Sequence, residues 1–189
     1  MRHNQRKELA LVLGGARAGK SSYAETLARQ GEQTLFVATA ESLDDDLRRR
    51  IRAHRARRPA SWSTLEEPLE LAAAIPAALA GHDTVLLDCL TVWISNLLLA
   101  QEHEAEADAE TAILARAEAL LDLYEKLDTR WIVVSNEVGL GVVPATELGR
   151  RYRDLLGRVN QLFAARADKV YLMVAGLPLE LKGLAAERL

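Results

Sequence analysis

The stretch Gly14-Gly15-Ala16-Arg17-Ala18-Gly19-Lys20-Ser21 constrains this chain more than any other, because it reads G-x-x-x-x-G-K-S between two different kinds of segment. Leu9 to Leu13 before it is an apolar run of strand length. Ser21 to Gln30 after it carries Ala24, Leu27 and Ala28 at a helical spacing. A helix N-terminus offers unpaired N–H groups and the positive end of a dipole, which suits phosphate. Glycines let the backbone wrap a phosphate with no Cβ in the way. The motif therefore predicts a nucleotide site in which Lys20 reaches the β- and γ-phosphates and the Ser21 hydroxyl ligates Mg²⁺.

The rest of the composition does not compete with this reading. The chain has 189 residues, 49% apolar and 27% charged, which predicts one nucleotide-binding domain over 1–189 with a full core. A net charge of −3 argues against a nucleic-acid partner. The single cysteine, Cys89, cannot form an internal disulfide and fits a reducing cytoplasm. No apolar run reaches the length of a membrane span. Arg2, Arg6 and Lys7, the apolar run and Ala16-Arg17-Ala18 imitate a signal peptide with its cleavage site. The apolar run is too short, and cleavage would destroy the phosphate loop, so that reading is rejected.

Further along, Gln33 to Thr39, Asp83 to Asp88, Trp131 to Ser135 and Lys169 to Val174 read as strands. Between them the pattern predicts a helix from a capping box at Ser42 to about Arg57, one from Pro68 to Ala80 broken near Pro76, a short apolar one from Leu90 to Leu99, one continuing to about Leu127, and a long one over Ala145 to Arg166. Strands alternating with helices argue a mostly parallel α/β sheet covered by helices on both faces.

Val85-Leu86-Leu87-Asp88 is an apolar strand ending in a carboxylate. Beside a phosphate loop, Asp88 is suited to hold a water of a magnesium ion, which prefers hard oxygen ligands and keeps several waters. The carboxylate-rich stretch from Glu102 to Glu110 reads as a solvated helix face rather than a metal site. Seven of the eleven residues from Arg48 to Arg58 are arginine, and His54 lies among them. That helix is either a solvated or polynucleotide-contacting basic face, or a site in which His54 attacks phosphorus while guanidinium groups neutralise a triphosphate. The residues alone leave both open. Glu137, at the end of a strand on the presumed ligand side, has a substrate or water-activating role or belongs to a structural polar pair. Arg153 and Asp154 have the simpler reading of pairing with other side chains.

With these pieces in place the chain resembles the bifunctional adenosylcobinamide kinase / adenosylcobinamide-phosphate guanylyltransferases, from Leu11 to Lys182. The blocks that carry the resemblance are the loop itself, Ala38-Thr39-Ala40-Glu41, Arg50-Ile51-x-x-His54-x-x-x-Arg58-Pro59 and Trp62-x-Thr64-x-Glu66. They continue with Leu87-Asp88-Cys89-Leu90-Thr91-Val92-Trp93, Ser135-Asn136-Glu137-Val138-Gly139-x-Gly141 and Tyr152-Arg153-Asp154-x-x-Gly157-Arg158-Val159-Asn160-Gln161. Ala18 stands where many members of the family have serine, at a position that contributes mainly its backbone N–H.

The resemblance implies a RecA-like P-loop fold, a homotrimer, a corrinoid substrate, ATP or GTP with Mg²⁺, and two reactions. A nucleoside triphosphate phosphorylates the hydroxyl of adenosylcobinamide, and GTP then transfers GMP to that phosphate through a GMP–histidine intermediate on His54. It also implies nucleotide contacts from Gly14, Gly15, Ala16, Arg17, Ala18, Gly19, Lys20 and Ser21, from Thr39, Ala40 and Glu41, from Arg55, Ala56, Arg57 and Arg58, and from Glu66 and Asp88. The alternatives are a P-loop small-molecule kinase limited to phosphoryl transfer, and a non-catalytic P-loop protein whose arginines bind nucleic acid.

Overall fold

The computed structural model describes residues 7–40, 59–101, 103 and 105–186. Seven strands form one sheet: β1 (Leu9–Gly14), β2 (Thr34–Ala38), β3 (Ser63–Glu66), β4 (Thr84–Asp88), β5 (Arg130–Val134), β6 (Lys169–Val174) and β7 (Leu177–Glu180), in the spatial order β3-β2-β4-β5-β1-β6-β7. All neighbours pair parallel except β6 and β7, which are antiparallel. One strand, β5, stands between the loop-bearing β1 and the Asp88-bearing β4, the arrangement of RecA-like P-loop folds.

The helices are α1 (Lys20–Ala28), α2 (Leu71–Ala78), α3 (Leu90–Ala100), α4 (Glu106–Lys126), α5 (Glu147–Arg166) and α6 (Leu181–Ala186). The period-2 alternation of the strands divides the core. Leu9, Leu11, Leu35, Val37, Val85, Leu87, Trp131 and Val133 face one cluster, which α2, α3, α4 and α5 cover. Ala10, Val12, Phe36, Leu86, Ile132 and Val134 face the other, where α1 packs through Ala24, Leu27 and Ala28. Continuous apolar strands buried on both faces are what a parallel sheet requires.

The predicted strands fall within a residue of those observed, and two short elements carry no comparable signal. β3 has only four residues, partly or fully exposed, and holds its place by pairing with β2. β7 returns through a two-residue turn in which Ala175 (φ 51°) and Gly176 (φ 83°) are both left-handed, the conformation that matches hairpin twist. The helix expected over Pro68 to Ala80 is shorter, and Pro76 does not break it. Leu71 and Ile75, one turn apart, are buried while Pro76 faces solvent, so the proline ring costs no core contact and the helix ends two residues later. The helix predicted from Ser42 to Arg57 lies outside the described residues.

At the opposite end of the sheet from the phosphate loop, Glu8 takes Arg130 Nε and Nη2 on one oxygen (3.1 and 2.8 Å) and Lys169 Nζ on the other (2.9 Å). Burial alone would raise its pKa. The hydrogen bonds and charges of Lys169 and Arg130 outweigh burial and hold it below the ordinary value of 4.5. A carboxylate with a lowered native pKa stabilises the fold above its unfolded pKa and loses that contribution as pH falls through the native one. Glu8→Gln should therefore be less stable than the parent at pH 7, and the gap should close as pH falls below about 4.5, followed by urea denaturation across pH. Leu87→Ala, at a fully buried position of β4, should lower stability by about 2–5 kcal/mol in the same assay.

Candidate active site

β1 ends at Gly14, and the chain turns through the loop into α1 at Lys20. Two glycines are required by geometry. Gly14 has φ 149°, and a Cβ there would lie 2.7 Å from the Met173 carbonyl oxygen. Gly19 has φ 97°, and its Cβ would meet the Gly176 Cα at 3.2 Å. The β6–β7 turn thus presses on the loop, and Gly176 N donates to the Ala18 carbonyl at 3.1 Å. Gly15, Ala16 and Arg17 are exposed on the loop's outer side, and Arg17 is itself left-handed at φ 59°.

Lys20 is only 8% exposed and donates Nζ to the Gly15 carbonyl at 2.7 Å, curling the loop over its own side chain. Burial pushes its pKa down, and the charge of Asp88, the carboxylate that ends β4, acts against that shift. Asp88 ends β4 half-buried, and Ser21 is half-buried in the first turn of α1. Cys89 follows Asp88. Burial first, then the charge of Asp88, raises its thiol to about 11, so at neutral pH it is a protonated, unreactive group.

Register lines up the rest. Glu66, Ala38, Asp88, Val134 and Val12 are successive partners across five strands. Glu66 is exposed and lies two strands from Asp88, about 10 Å at ordinary strand spacing. Thr39 is fully buried. Its hydroxyl donates to the Cys89 carbonyl (2.8 Å) and accepts from Cys89 N (2.9 Å), while its own carbonyl takes Asn96 Nδ2 (2.8 Å). In this state Thr39 braces the Asp88 strand end, and half-buried Ala40 follows it at the sheet edge. The structure thus brings the loop, Thr39, Ala40, Asp88 and Glu66 to one edge. Glu41, His54, Arg55, Ala56, Arg57 and Arg58 lie outside the described residues.

A polar hub beside the loop contains Glu137, for which the sequence left a chemical role and a structural pair open, and centres on Asn160, which had no reading of its own. Asn160 of α5, 4% exposed, accepts from Ser135 Oγ (2.7 Å) and donates Nδ2 to the Asn136 carbonyl (3.0 Å) and to Glu137 Oε1 (3.1 Å). Glu137 N donates to the Gly14 carbonyl at 3.1 Å, which joins this hub to the phosphate loop. The turn after β5 is held from a further side, where Asn136 N donates to Thr91 Oγ1 (2.8 Å) and Tyr152 Oη donates to the Thr91 carbonyl (3.0 Å). The available signal was an asparagine at a position of the helical apolar period. Its apolar neighbours Leu156, Val159 and Phe163 put it on the inner face of α5. Arg153 and Asp154 pair with each other at 2.8 Å, as their simpler reading had it.

The family model described as cobinamide kinase / cobinamide phosphate guanyltransferase matches residues 10–181. The chain belongs to this family. It is 49% identical over 174 residues to the bifunctional adenosylcobalamin biosynthesis protein CobP of Pseudomonas aeruginosa, covering 92% of this chain and 96% of that one. It is 42% identical over 180 residues to the bifunctional adenosylcobalamin biosynthesis protein CobU of Salmonella typhimurium, covering 92% and 99%. Among solved structures, the flagellar accessory protein FlaH of Methanocaldococcus jannaschii shares the fold, with a TM-score of 0.50 at 11% identity over 88% of this chain and 71% of that one. Membership of the cobinamide kinase / guanyltransferase family identifies the chain as a transferase with a P-loop nucleotide site.

Asn160→Ala should leave the buried Ser135 hydroxyl without its partner and remove the amide that holds the half-buried Asn136 carbonyl. The expected loss is about 2–3 kcal/mol of stability, read from the urea midpoint.

Proposed function

We propose that this transferase of cobalamin biosynthesis first phosphorylates the aminopropanol hydroxyl of adenosylcobinamide with ATP or GTP. It then transfers GMP from GTP to the resulting phosphate, giving adenosyl-GDP-cobinamide and pyrophosphate. Family membership supports the pair of reactions. The observation that carries the reading onto this chain is the loop geometry: Lys20 is buried beneath the loop, within electrostatic reach of Asp88 at the end of a neighbouring strand.

The loop's backbone N–H groups and the N-terminus of α1 bind the phosphates, and Lys20 exchanges its Gly15 carbonyl for a phosphate oxygen when nucleotide enters. Ser21 offers a hydroxyl and Asp88 a carboxylate, oxygen donors of the kind magnesium takes, and they would hold the ion with water completing its shell. That ion supplies charge neutralisation on the phosphate oxygens. In the second reaction His54 attacks the α-phosphorus of GTP, the bond to the bridging oxygen breaks, and pyrophosphate leaves with the electron pair. An oxygen of the corrinoid phosphate then attacks the same phosphorus, and the imidazole leaves with the electrons of the P–N bond. Arg55, Arg57 and Arg58 offset the charge of the phosphates, with Ala56 between them. Glu41, Glu66, Thr39 and Ala40 complete the nucleotide contacts.

The family resemblance also supports assembly as a homotrimer and a cytoplasmic location. No described helix is long and apolar enough to cross a membrane. Sedimentation equilibrium should return three times the 20.8 kDa of the chain.

Labelling tests the chemistry. Protein incubated with Mg²⁺ and GTP carrying the label in the α-phosphate should acquire an acid-labile, alkali-stable adduct, whereas γ-labelled GTP should leave none. The adduct should be absent from His54→Asn and should be discharged by adenosylcobinamide phosphate. γ-Label transferred to adenosylcobinamide with no α-label on the protein would leave a kinase alone.

A further inference from the structure

Beside the phosphate loop lies a cavity of about 320 Å³, whose polar lining comes from Glu137, Arg153, Asp154, Arg158, Asn160 and Gln161. No residue of the loop lines it. The two sites are nevertheless joined, because Glu137 N donates to the carbonyl of Gly14, the first residue of the loop. A donor nucleotide on the loop therefore has, one hydrogen bond away, a space large enough for part of another molecule.

The wall is built for chemistry of two kinds. Asn160 Nδ2 holds Glu137 Oε1 at 3.1 Å, and among the described residues nothing donates to Oε2. The carboxylate is thus oriented, with one oxygen available to accept the proton of a hydroxyl. Arg153 and Arg158 line the same cavity. Arg153 gives Nε and Nη2 to Asp154, and Arg158 gives Nη1 to Glu110. A guanidinium carries five N–H donors, so both retain donors of the geometry that suits a phosphate monoester. Arg153, Gly157 and Asn160 or Gln161 recur at one-turn spacing, which makes this cavity wall a single side of α5. Past Val138 and Gly139 in the wall, the chain exposes Leu140 (78%) and Val142 (94%), an apolar rim outside a polar pocket.

We propose that this pocket is the acceptor site, taking the polar end of the corrinoid as an alcohol in the first reaction and as a phosphate monoester in the second, with the apolar rim against its body. The inference rests on the two-reaction reading above and deepens it. In the first reaction the acceptor oxygen attacks the γ-phosphorus, and the bond from that phosphorus to the β–γ bridging oxygen breaks. The nucleoside diphosphate leaves with the electron pair, and the hydroxyl proton passes to Glu137 Oε2. In the second, Arg153 and Arg158 hold the phosphate monoester whose oxygen attacks the guanylylated phosphorus. One pocket thus serves a substrate and its own product, because it offers a hydrogen-bond acceptor for the alcohol and cations for the phosphate.

The test uses the full chain with adenosylcobinamide and, separately, its phosphate. Glu137→Gln keeps an acceptor for Asn160 and removes the basic oxygen. Its kinase kcat should fall at least about 100-fold, with the Kd for GTP within about twofold of the parent's. Arg153→Ala and Arg158→Ala should each raise KM for the phosphorylated acceptor about tenfold or more, a loss ordinary for a charge-assisted contact. Glu110→Gln removes the ion pair of Arg158 but leaves its guanidinium, so KM there should stay at the parent value; a rise equal to that of Arg158→Ala would mean a structural role and overturn the assignment. A Glu137→Gln kinase at parental rate, or unchanged KM in both arginine variants, would also overturn it while α-label on the parent protein kept the two-reaction reading intact. Absence of both label and phosphorylated acceptor in the parent would overturn the reading and the pocket together.

Discussion

β1 is buried from end to end because it is paired on both edges, with β5 and β6, and covered on both faces by side chains of opposite parity. Every backbone N–H and C=O in its middle has a partner in the ladder, and so the strand cannot shift without exposing both cores. The phosphate loop is the direct continuation of this strand. Gly14 and Gly19 sit in conformations that an L side chain resists, held there by the packing of the strand beneath and the β6–β7 turn alongside. Rigidity of the sheet is therefore what holds an otherwise strained, anion-accepting backbone ready.

The same register sets the charge pattern of the site. The parallel register puts Asp88 and Glu66 level with Val12, just before β1 gives way to the loop at Gly14. Lys20 is buried beneath the loop, feels the charge of Asp88 and donates to the Gly15 carbonyl. Beyond β5, Asn160 joins three consecutive residues, Ser135, Asn136 and Glu137, to α5. A buried amide with three partners is worth keeping only if all are satisfied, and its reward here is a carboxylate oriented beside the loop.

Legibility followed the physical origin of each feature. The central strands were readable because parallel, doubly covered strands are continuous apolar runs, and Asp88 was readable as the polar residue that ends one. β3 and β7 are edge elements with exposed side chains, and they exist because β2 and β6 offer unpaired ladders. Pro76 misled for a related reason. Pro76 forfeits one backbone hydrogen bond, but it is exposed and the helix ends only two residues later, so the interruption stays local. Thr39 shows what a motif leaves out: its hydroxyl and carbonyl also tie the end of β2 to Cys89, at the start of α3, and to Asn96 within it.

By itself the sequence determined the phosphate loop, its strand and helix, the parallel α/β class and the family, because these depend on local conformation and on residue types at fixed spacing. Tertiary structure alone decided which strand separates Asp88 from the loop, that Gly176 presses on Gly19, and that Glu137, Arg153 and Arg158 share one cavity. Those facts require β5 and α5 to meet across more than ten residues of intervening chain and to lie against β1, more than a hundred residues earlier. No local spacing encodes such a meeting. It follows from burying every strand on two faces at once.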